Sequence, residues 1–228
     1  MNRNHGARKE SSMEKYVFVG DIHGRVRDVE RALTRPGKKI FVGDFVDSYT
    51  ESAGKQQACL EMVLHSIKRA ESQAVFGNHE LSYMIPEHRC SGWNLETNLV
   101  IQKYKEEMYQ LFKPYIFIEP NILVTHAGLS KFWWDKHDLT LDNLCDTLDD
   151  WWKDNASPMH KIGYTRGGQA PRGGTFWCHY PDEFEPIPDL VQIFGHTSDR
   201  EIRGDGENFC IDNSRTQIGG MTFLEMEI

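Results

Sequence analysis

The sequence has no CxxC pair, no apolar run approaching the ~18 residues that cross a bilayer, and no internal repeat or low-complexity tract. Its five cysteines, Cys59, Cys90, Cys145, Cys178 and Cys210, are odd in number and widely spaced. That excludes a disulfide framework and a structural zinc knot, and points to a reducing compartment. A basic excess is missing too: 26 Lys and Arg face 34 Asp and Glu, for a formal charge of −8. No stable nucleic-acid binding is therefore expected, although a local basic pocket is compatible with that total. The first twelve residues, MNRNHGARKESS, lack an apolar core and do not form a secretory signal. They read as a disordered leader, with translation starting at Met1 or Met13, followed by a single domain over 13–228. The full chain of 228 residues is 39% hydrophobic and 26% charged, which predicts a soluble, cytoplasmic globular protein without a membrane partner.

Short β-rich runs alternate with helical stretches, so a layered α/β fold is expected. Strands are predicted at Tyr16–Val19, Lys39–Val42, Ala74–Phe76 and Val191–Phe194, with a hairpin of 115–118 and 122–125 around Pro120-Asn121. The tail predicts a terminal β-pair of Phe209–Ile211 with Met221–Glu227. Helices are predicted over Asp28–Leu33, over 54–70, where Ala58, Leu60, Met62, Val63, Leu64 and Ile67 form an apolar face, and over 96–112, stopped by Pro114.

The residues just beyond each strand carry the chemistry. YVFV leads into Gly20-Asp21-Ile22-His23-Gly24, KIFV into Gly43-Asp44-Phe45-Val46-Asp47, and AVF into Gly77-Asn78-His79-Glu80. ILV runs into Thr125-His126-Ala127-Gly128, and VQIF into Gly195-His196-Thr197. One Gly-Asp is a common turn dipeptide; five strands each delivering Asp, Asn or His at the carboxyl end, where α/β sheets gather ligands, are not explained as turns. Asp21, His23, Asp44, Asn78, His126 and His196 offer carboxylate, amide and imidazole donors without thiolate, a set suited to Mn²⁺, Fe or Zn²⁺. Six donors are too many for one catalytic ion that must keep open positions, but they fit two ions sharing a carboxylate. If their segment is extended, Asp21 and His23, two residues apart, point to the same side.

In that order, GDIHG, GDFVD, GNHE, THAG and GHT resemble the calcineurin-like metallophosphoesterases, most of all the phosphoprotein phosphatase branch with its small bacteriophage and bacterial members. The resemblance runs from about Tyr16 to the C-terminus. It implies two mixed β-sheets flanked by helices, and two divalent ions, Mn²⁺ foremost with Fe or Zn²⁺ as alternatives. It implies Asp21 and His23 on one ion, Asp44 bridging both, and Asn78, His126 and His196 completing the second, with Asn78 also near the substrate phosphate. His79 matches the residue that protonates the leaving oxygen and Asp47 the acid that orients it, while a metal-bridging hydroxide attacks phosphorus. For a phage-encoded chain the location would be the host cytoplasm. Glu80 is open between a role at the site and a helix cap.

The pattern breaks after Asp47, where the phosphatase branch continues Arg-Gly and this chain has Ser48-Tyr49. Serine cannot replace a guanidinium fork on phosphate oxygens. Arg166 and Arg172, in the glycine-rich stretch 163–174, are the candidate replacements, with Arg172 slightly favoured and Arg25 a weaker third. Trp133, Trp134, Trp151 and Trp152 fall in a tract, about 130–160, read as a helical cap or insertion; they suggest packing, with an aromatic floor for a nucleobase or peptide side chain as the lesser reading. Three functions stand: a phosphatase of phosphoproteins, phosphoserine and phosphothreonine foremost; a nucleotide hydrolase acting on dinucleoside polyphosphates or on cyclic or terminal nucleotide phosphates; and a non-catalytic scaffold.

Overall fold

In a computed structural model, which describes residues 13–88, 90–215 and 220–228, the described residues form nine strands in two sheets. The expected leader, residues 1–12, lies outside the described residues. In the first sheet β1 (Lys15–Val19), β2 (Lys38–Phe41) and β3 (Ser72–Ala74) run parallel, and β9 (Leu224–Glu227) lies antiparallel beside β1. The second contains β4 (Ile116–Ile118), β5 (Ile122–Val124), β6 (Val191–Phe194), β7 (Arg203–Gly204) and β8 (Asn208–Cys210) in the order β4-β5-β6-β8-β7. Its central pairs β5–β6 and β6–β8 are parallel and its outer pairs antiparallel, so both sheets are mixed.

Strand alternation builds the layers. Tyr16, Phe18 and Ile40 meet Ile116, Ile122, Val124 and Ile193 of the second sheet in one apolar layer between the sheets. Val17, Val19 and Phe41 point the other way, into a larger core shared with the helices. There α2 (Ala53–Lys68) lies against α1 (Val26–Leu33) and α4 (Leu95–Leu111). Ser52 caps α2 by accepting from Lys55 N–H, and Asn94 caps α4 by accepting from Thr97 N–H.

The tail corrects one expectation. Residues 209–211 and 221–227 do not pair with each other: β8 joins β6 and β7, whereas β9 pairs with β1, placing Glu227 opposite Lys15. Both runs reach the same apolar layer from opposite sheets, Ile211 from one and Leu224 and Met226 from the other. Their affinity for each other is across the sandwich rather than along a ladder.

The four tryptophans pack. Trp133 and Trp151, on α5 (Lys131–Lys136) and α6 (Leu144–Trp152), are buried, and Trp133 Nε1 donates to the Gly173 carbonyl at 2.9 Å. Trp152 stacks on Phe76 at 5.3 Å and also on His160. His160 is buried among Trp152, Phe176 and His88, with neither ring nitrogen hydrogen-bonded. Burial, aided by His88, pushes its pKa down to about 4. A histidine held neutral in the fold but titrating near 6.5 when unfolded contributes stability that is complete above pH ~6.5 and lost as pH falls toward 4. The loss is about 3 kcal/mol at most. Urea unfolding followed from pH 7 to 4 should show His160→Phe losing less stability than wild type; equal acid slopes would refute it.

Candidate active site

The carboxyl ends of β1, β2, β3, β5 and β6 converge, and the chain leaves them through strained turns. Of seven described non-glycine residues with positive φ, four belong to the expected site: His23 (44°), Asp44 (55°), Asp47 (60°) and His196 (69°). Such conformations cost about 1–3 kcal/mol each and persist only where the surroundings enforce them. His23 thus leaves the extended path, and the expectation that Asp21 and His23 share one face of an extended segment does not hold.

The enforcement at Asp44 comes from Glu80. This fully buried carboxylate, on α3 (Asn78–Met84), accepts from Asp44 N–H (2.9 Å), Phe45 N–H (2.7 Å), Val46 N–H (3.2 Å) and Gly77 N–H (3.0 Å). It is both a helix cap and a clamp on the loop after β2. Burial and the Asp44 charge push its pKa up to about 7. Glycine is required beside it: a Cβ at Gly77 would sit 2.1 Å from Asp44 Oδ1, and one at Gly195 would sit 2.0 Å from Asp21 Oδ1.

Around Asp44 the side chains present acceptors to one another. His126 Nδ1 donates to the Val42 carbonyl at 2.7 Å, which leaves the Nε2 lone pair facing inward. That Nε2 lies 2.7 Å from Asn78 Oδ1, 3.1 Å from His196 Nδ1 and 3.4 Å from Asp44 Oδ2. Asn78 Oδ1 is 2.9 Å from His196 Nδ1. His23 repeats the arrangement, donating from Nδ1 to the Val46 carbonyl at 2.7 Å and turning Nε2 toward Asp44 Oδ2 at 3.8 Å. With its Nδ1 proton donated to the Val42 carbonyl, His126 Nε2 faces the Asn78 and Asp44 oxygens acceptor to acceptor. Such lone pairs repel unless a cation lies among them, so the donor set fits divalent metal. Two groupings able to hold an ion share Asp44: His23, Asp44 and His79, and Asp44, His126 and His196.

Asp21 belongs to neither grouping; both its oxygens lie 3.1 Å from His196 N–H. Burial, then the Asp212 and Asp44 charges, raise its pKa well above the carboxylate range. Burial also pushes Asp44 up, but His126, His79 and His23 outweigh it and hold that carboxyl below its usual value. Burial keeps His23, His126 and His196 on the neutral, ligating side.

His79 is held differently. Its Nδ1 is 2.8 Å from Asp47 Oδ2, and its Nε2 points toward Asp44 Oδ2 at 3.9 Å. Burial opposes the imidazolium, yet the Asp44 charge and the bonds to Asp47 and Cys90 raise its pKa well above the ordinary value. Asp47 is fixed by Gln56, which accepts its N–H at 2.8 Å, and by the Tyr83 hydroxyl, which donates to Oδ1.

These groups open into a cleft of about 470 Å³, lined among others by His23, His79, His196, Asp212, Arg166 and Arg215. Arg166 reaches its mouth by donating to the His196 carbonyl (3.2 Å) and Thr197 Oγ1 (3.3 Å). Arg172 turns away: it pairs with Glu185 at 3.0 Å, donates to the Pro171 carbonyl, and is not among the described cleft residues. Arg25 lines the cleft but is tied to Asp28 (3.3 Å) and to the carbonyls of Ser214 and Asp21. Ser48 accepts from Thr50 and Glu51 N–H, shaping the approach to α2. Asp212, Tyr83, Gln56 and Cys90 were not foreseen as site neighbours. Asp212 alone had a readable signal, since it follows β8 as Asp21 follows β1.

Residues 14–199 match the family model described as calcineurin-like phosphoesterase. No curated protein matches the sequence. Among solved structures, the chain is similar to a cold-active protein-tyrosine phosphatase of a psychrophile Shewanella sp., at 16% identity and TM-score 0.59, covering 94% of this chain and 76% of that one. A further structure of a cold-active protein tyrosine phosphatase matches at 17% identity and TM-score 0.61, covering 95% and 74%. At these identities the likeness is one of fold.

Proposed function

Because the chain belongs to the calcineurin-like phosphoesterase family, and is by that membership a phosphoric ester hydrolase, we propose that it is a two-metal phosphatase of phosphoserine or phosphothreonine in proteins. The observation that carries this reading is Asp44 Oδ2, which lies 3.4 Å from His126 and 3.8 Å from His23. It is also 3.9 Å from the Nε2 of His79, a histidine paired with Asp47 and left out of the ligand set. Asp44, Asn78, His126 and His196 would hold one ion, and His23 with Asp44 the other, with Asp21 assigned to that side as the family resemblance implies. Manganese suits the oxygen and imidazole donors, with iron and zinc as alternatives. Bound there, divalent ions supply positive charge to phosphate oxygens and the acidity that makes water a nucleophile at neutral pH.

The remaining roles belong to side chains. His79, kept cationic by Asp44 and Asp47, donates its Nε2 proton to the leaving oxygen. Asp47 fixes the ring through Nδ1, with Tyr83 and Gln56 holding Asp47 in turn. Arg166 takes the part that Ser48 cannot, gripping the phosphate oxygens. A protein substrate is taken first because the motifs resemble the phosphoprotein phosphatase branch. Trp133, Trp134, Trp151 and Trp152 pack against the core and are not among the described cleft residues, so they do not discriminate between a peptide and a nucleobase. A second reading has its own support: Arg215 adds a further cation to the cleft, which suits a nucleotide carrying more than one phosphate.

One panel separates the readings. The Mn²⁺-loaded protein is assayed on phosphoserine, phosphothreonine and phosphotyrosine peptides, dinucleoside polyphosphates and cyclic nucleotides. The highest kcat/KM is expected on the phosphoserine and phosphothreonine peptides; a nucleotide turned over tenfold better would replace the first reading, and no turnover at all would favour a scaffold. On the best substrate, Arg166→Ala should lower kcat/KM at least ~10-fold, about 1.4 kcal/mol of transition-state stabilisation. Metal content should be unchanged, and Arg172→Ala should stay near wild type. Wild-type kinetics in Arg166→Ala would remove it as the phosphate clamp.

A further inference from the structure

A third grouping lies beside the two that share Asp44. Cys90 Sγ is 3.3 Å from His79 Nδ1 and 3.8 Å from Asp47 Oδ2, and those two atoms are 2.8 Å apart. It alone of the three contains a thiol. Sulfur, imidazole nitrogen and carboxylate oxygen form a softer set than the carboxylate-and-imidazole groupings around Asp44, and they are the donors of zinc. A tetrahedral zinc with ordinary bond lengths would hold its sulfur about 3.5 Å from the nitrogen and the oxygen, and those two about 3.3 Å from each other. The two edges at Cys90 Sγ already lie within about 0.3 Å of that, and the His79–Asp47 edge needs to open by about 0.5 Å.

We propose that Cys90, His79 and Asp47 form a separate binding site for a thiophilic divalent ion, Zn²⁺ above all, whose occupancy inhibits the phosphatase. Binding forms three dative bonds to the ion, and the Cys90 thiol proton and the His79 Nδ1 proton pass to solvent. No electron is transferred. The fourth position is left to water from the cleft, which Asp47, His79 and Ser91 line. The ion takes the Nδ1–Asp47 bond that orients His79, so the imidazole is turned from the position in which Asp47 holds it toward the leaving oxygen. The inhibitory consequence rests on the acid role given to His79; the binding does not. Such a site would make activity fall as free zinc rises while Mn²⁺ still fills the groupings around Asp44.

Cobalt(II) reports the site without any assay of activity, because a thiolate ligand gives it a charge-transfer absorption that oxygen and imidazole do not. The Mn²⁺-loaded wild-type chain titrated with Co²⁺ should develop that absorption and saturate at one equivalent. It should be absent from Cys90→Ser and Cys90→Ala and kept by Cys145→Ser, which alters the other partly exposed thiol. With Mn²⁺ held constant, each protein is then titrated with Zn²⁺ and compared with its own zinc-free rate. The zinc concentration for half-inhibition should rise at least ~10-fold in Cys90→Ser, since losing even an outer partner of a metal site costs 10–100-fold in affinity. A wild-type chain without the thiolate absorption, an absorption that survives in both Cys90 variants, or equal zinc sensitivity in wild type and Cys90→Ser would each overturn the proposal. A wild-type chain with no turnover would count against the phosphatase reading instead, and the cobalt absorption would still decide the binding site.

Discussion

Asp44→Asn should leave the chain unable to fill either metal grouping and should lower turnover at least ~10²-fold. The reason lies in how the carboxylate is held. Its Oδ1 accepts the His79 backbone N–H at 3.0 Å, while Oδ2 faces His126 at 3.4 Å, His23 at 3.8 Å and His79 at 3.9 Å. An asparagine keeps its carbonyl oxygen on the His79 N–H and therefore turns its NH₂ group to where Oδ2 was. A donor replaces an acceptor at the point where both groupings meet, and the negative charge that offsets two buried dications is lost. Disturbing an outer partner of a metal site already costs 10–100-fold, so losing a shared ligand costs no less. His196→Ala is the contrast: it removes a donor from one grouping only and should leave about one ion per chain. Elemental analysis after equilibrium dialysis against Mn²⁺, together with activity titrated by metal, measures both. Two ions retained by Asp44→Asn, or a wild-type chain fully active with one, would refute the shared-carboxylate arrangement.

The donors around Asp44 were legible because each follows an apolar strand directly and, in most cases, a glycine that turns the backbone into the crevice. That is a local signal, and Asp44, Asn78, His126 and His196 sit where it placed them. Glu80 shows where local reading stops. Its place three residues after Gly77 indicates a cap, but its bonds to Asp44, Phe45 and Val46 N–H join segments more than thirty residues apart. The same limit separates Arg166 from Arg172. Both stand in one glycine-rich stretch, and Glu185, thirteen residues beyond Arg172, draws that guanidinium away from the cleft. Strand existence was readable from β-branched and aromatic runs; strand partnership in the tail was not, because β8 and β9 each find an edge set by distant chain. Asp212 follows β8 at the spacing by which Asp21 follows β1, but no glycine flanks it, so only half of the cue is present there.

His79→Asn should lose ~10²–10⁴-fold in kcat on a phosphoserine peptide, the range that a positioned general acid supplies. On p-nitrophenyl phosphate the loss should be far smaller. An alkoxide leaving group must be protonated as its bond to phosphorus breaks, whereas a nitrophenolate leaves readily without a proton. The imidazole is equipped for the harder case: Asp47 holds Nδ1 at 2.8 Å, Asp44 adds negative charge nearby, and the ring titrates well above the ordinary range. Asparagine at 79 keeps the backbone N–H that Asp44 Oδ1 accepts, so the metal groupings lose no backbone contact through the change. Asp47→Asn should follow the same selectivity with a smaller loss, because it leaves the acid in place but removes the carboxylate that stabilises its charged form. Metal content, measured on each variant, separates this from a metal defect, which would depress both substrates alike. Equal losses on the peptide and on p-nitrophenyl phosphate, with metal content intact, would take the acid role away from His79.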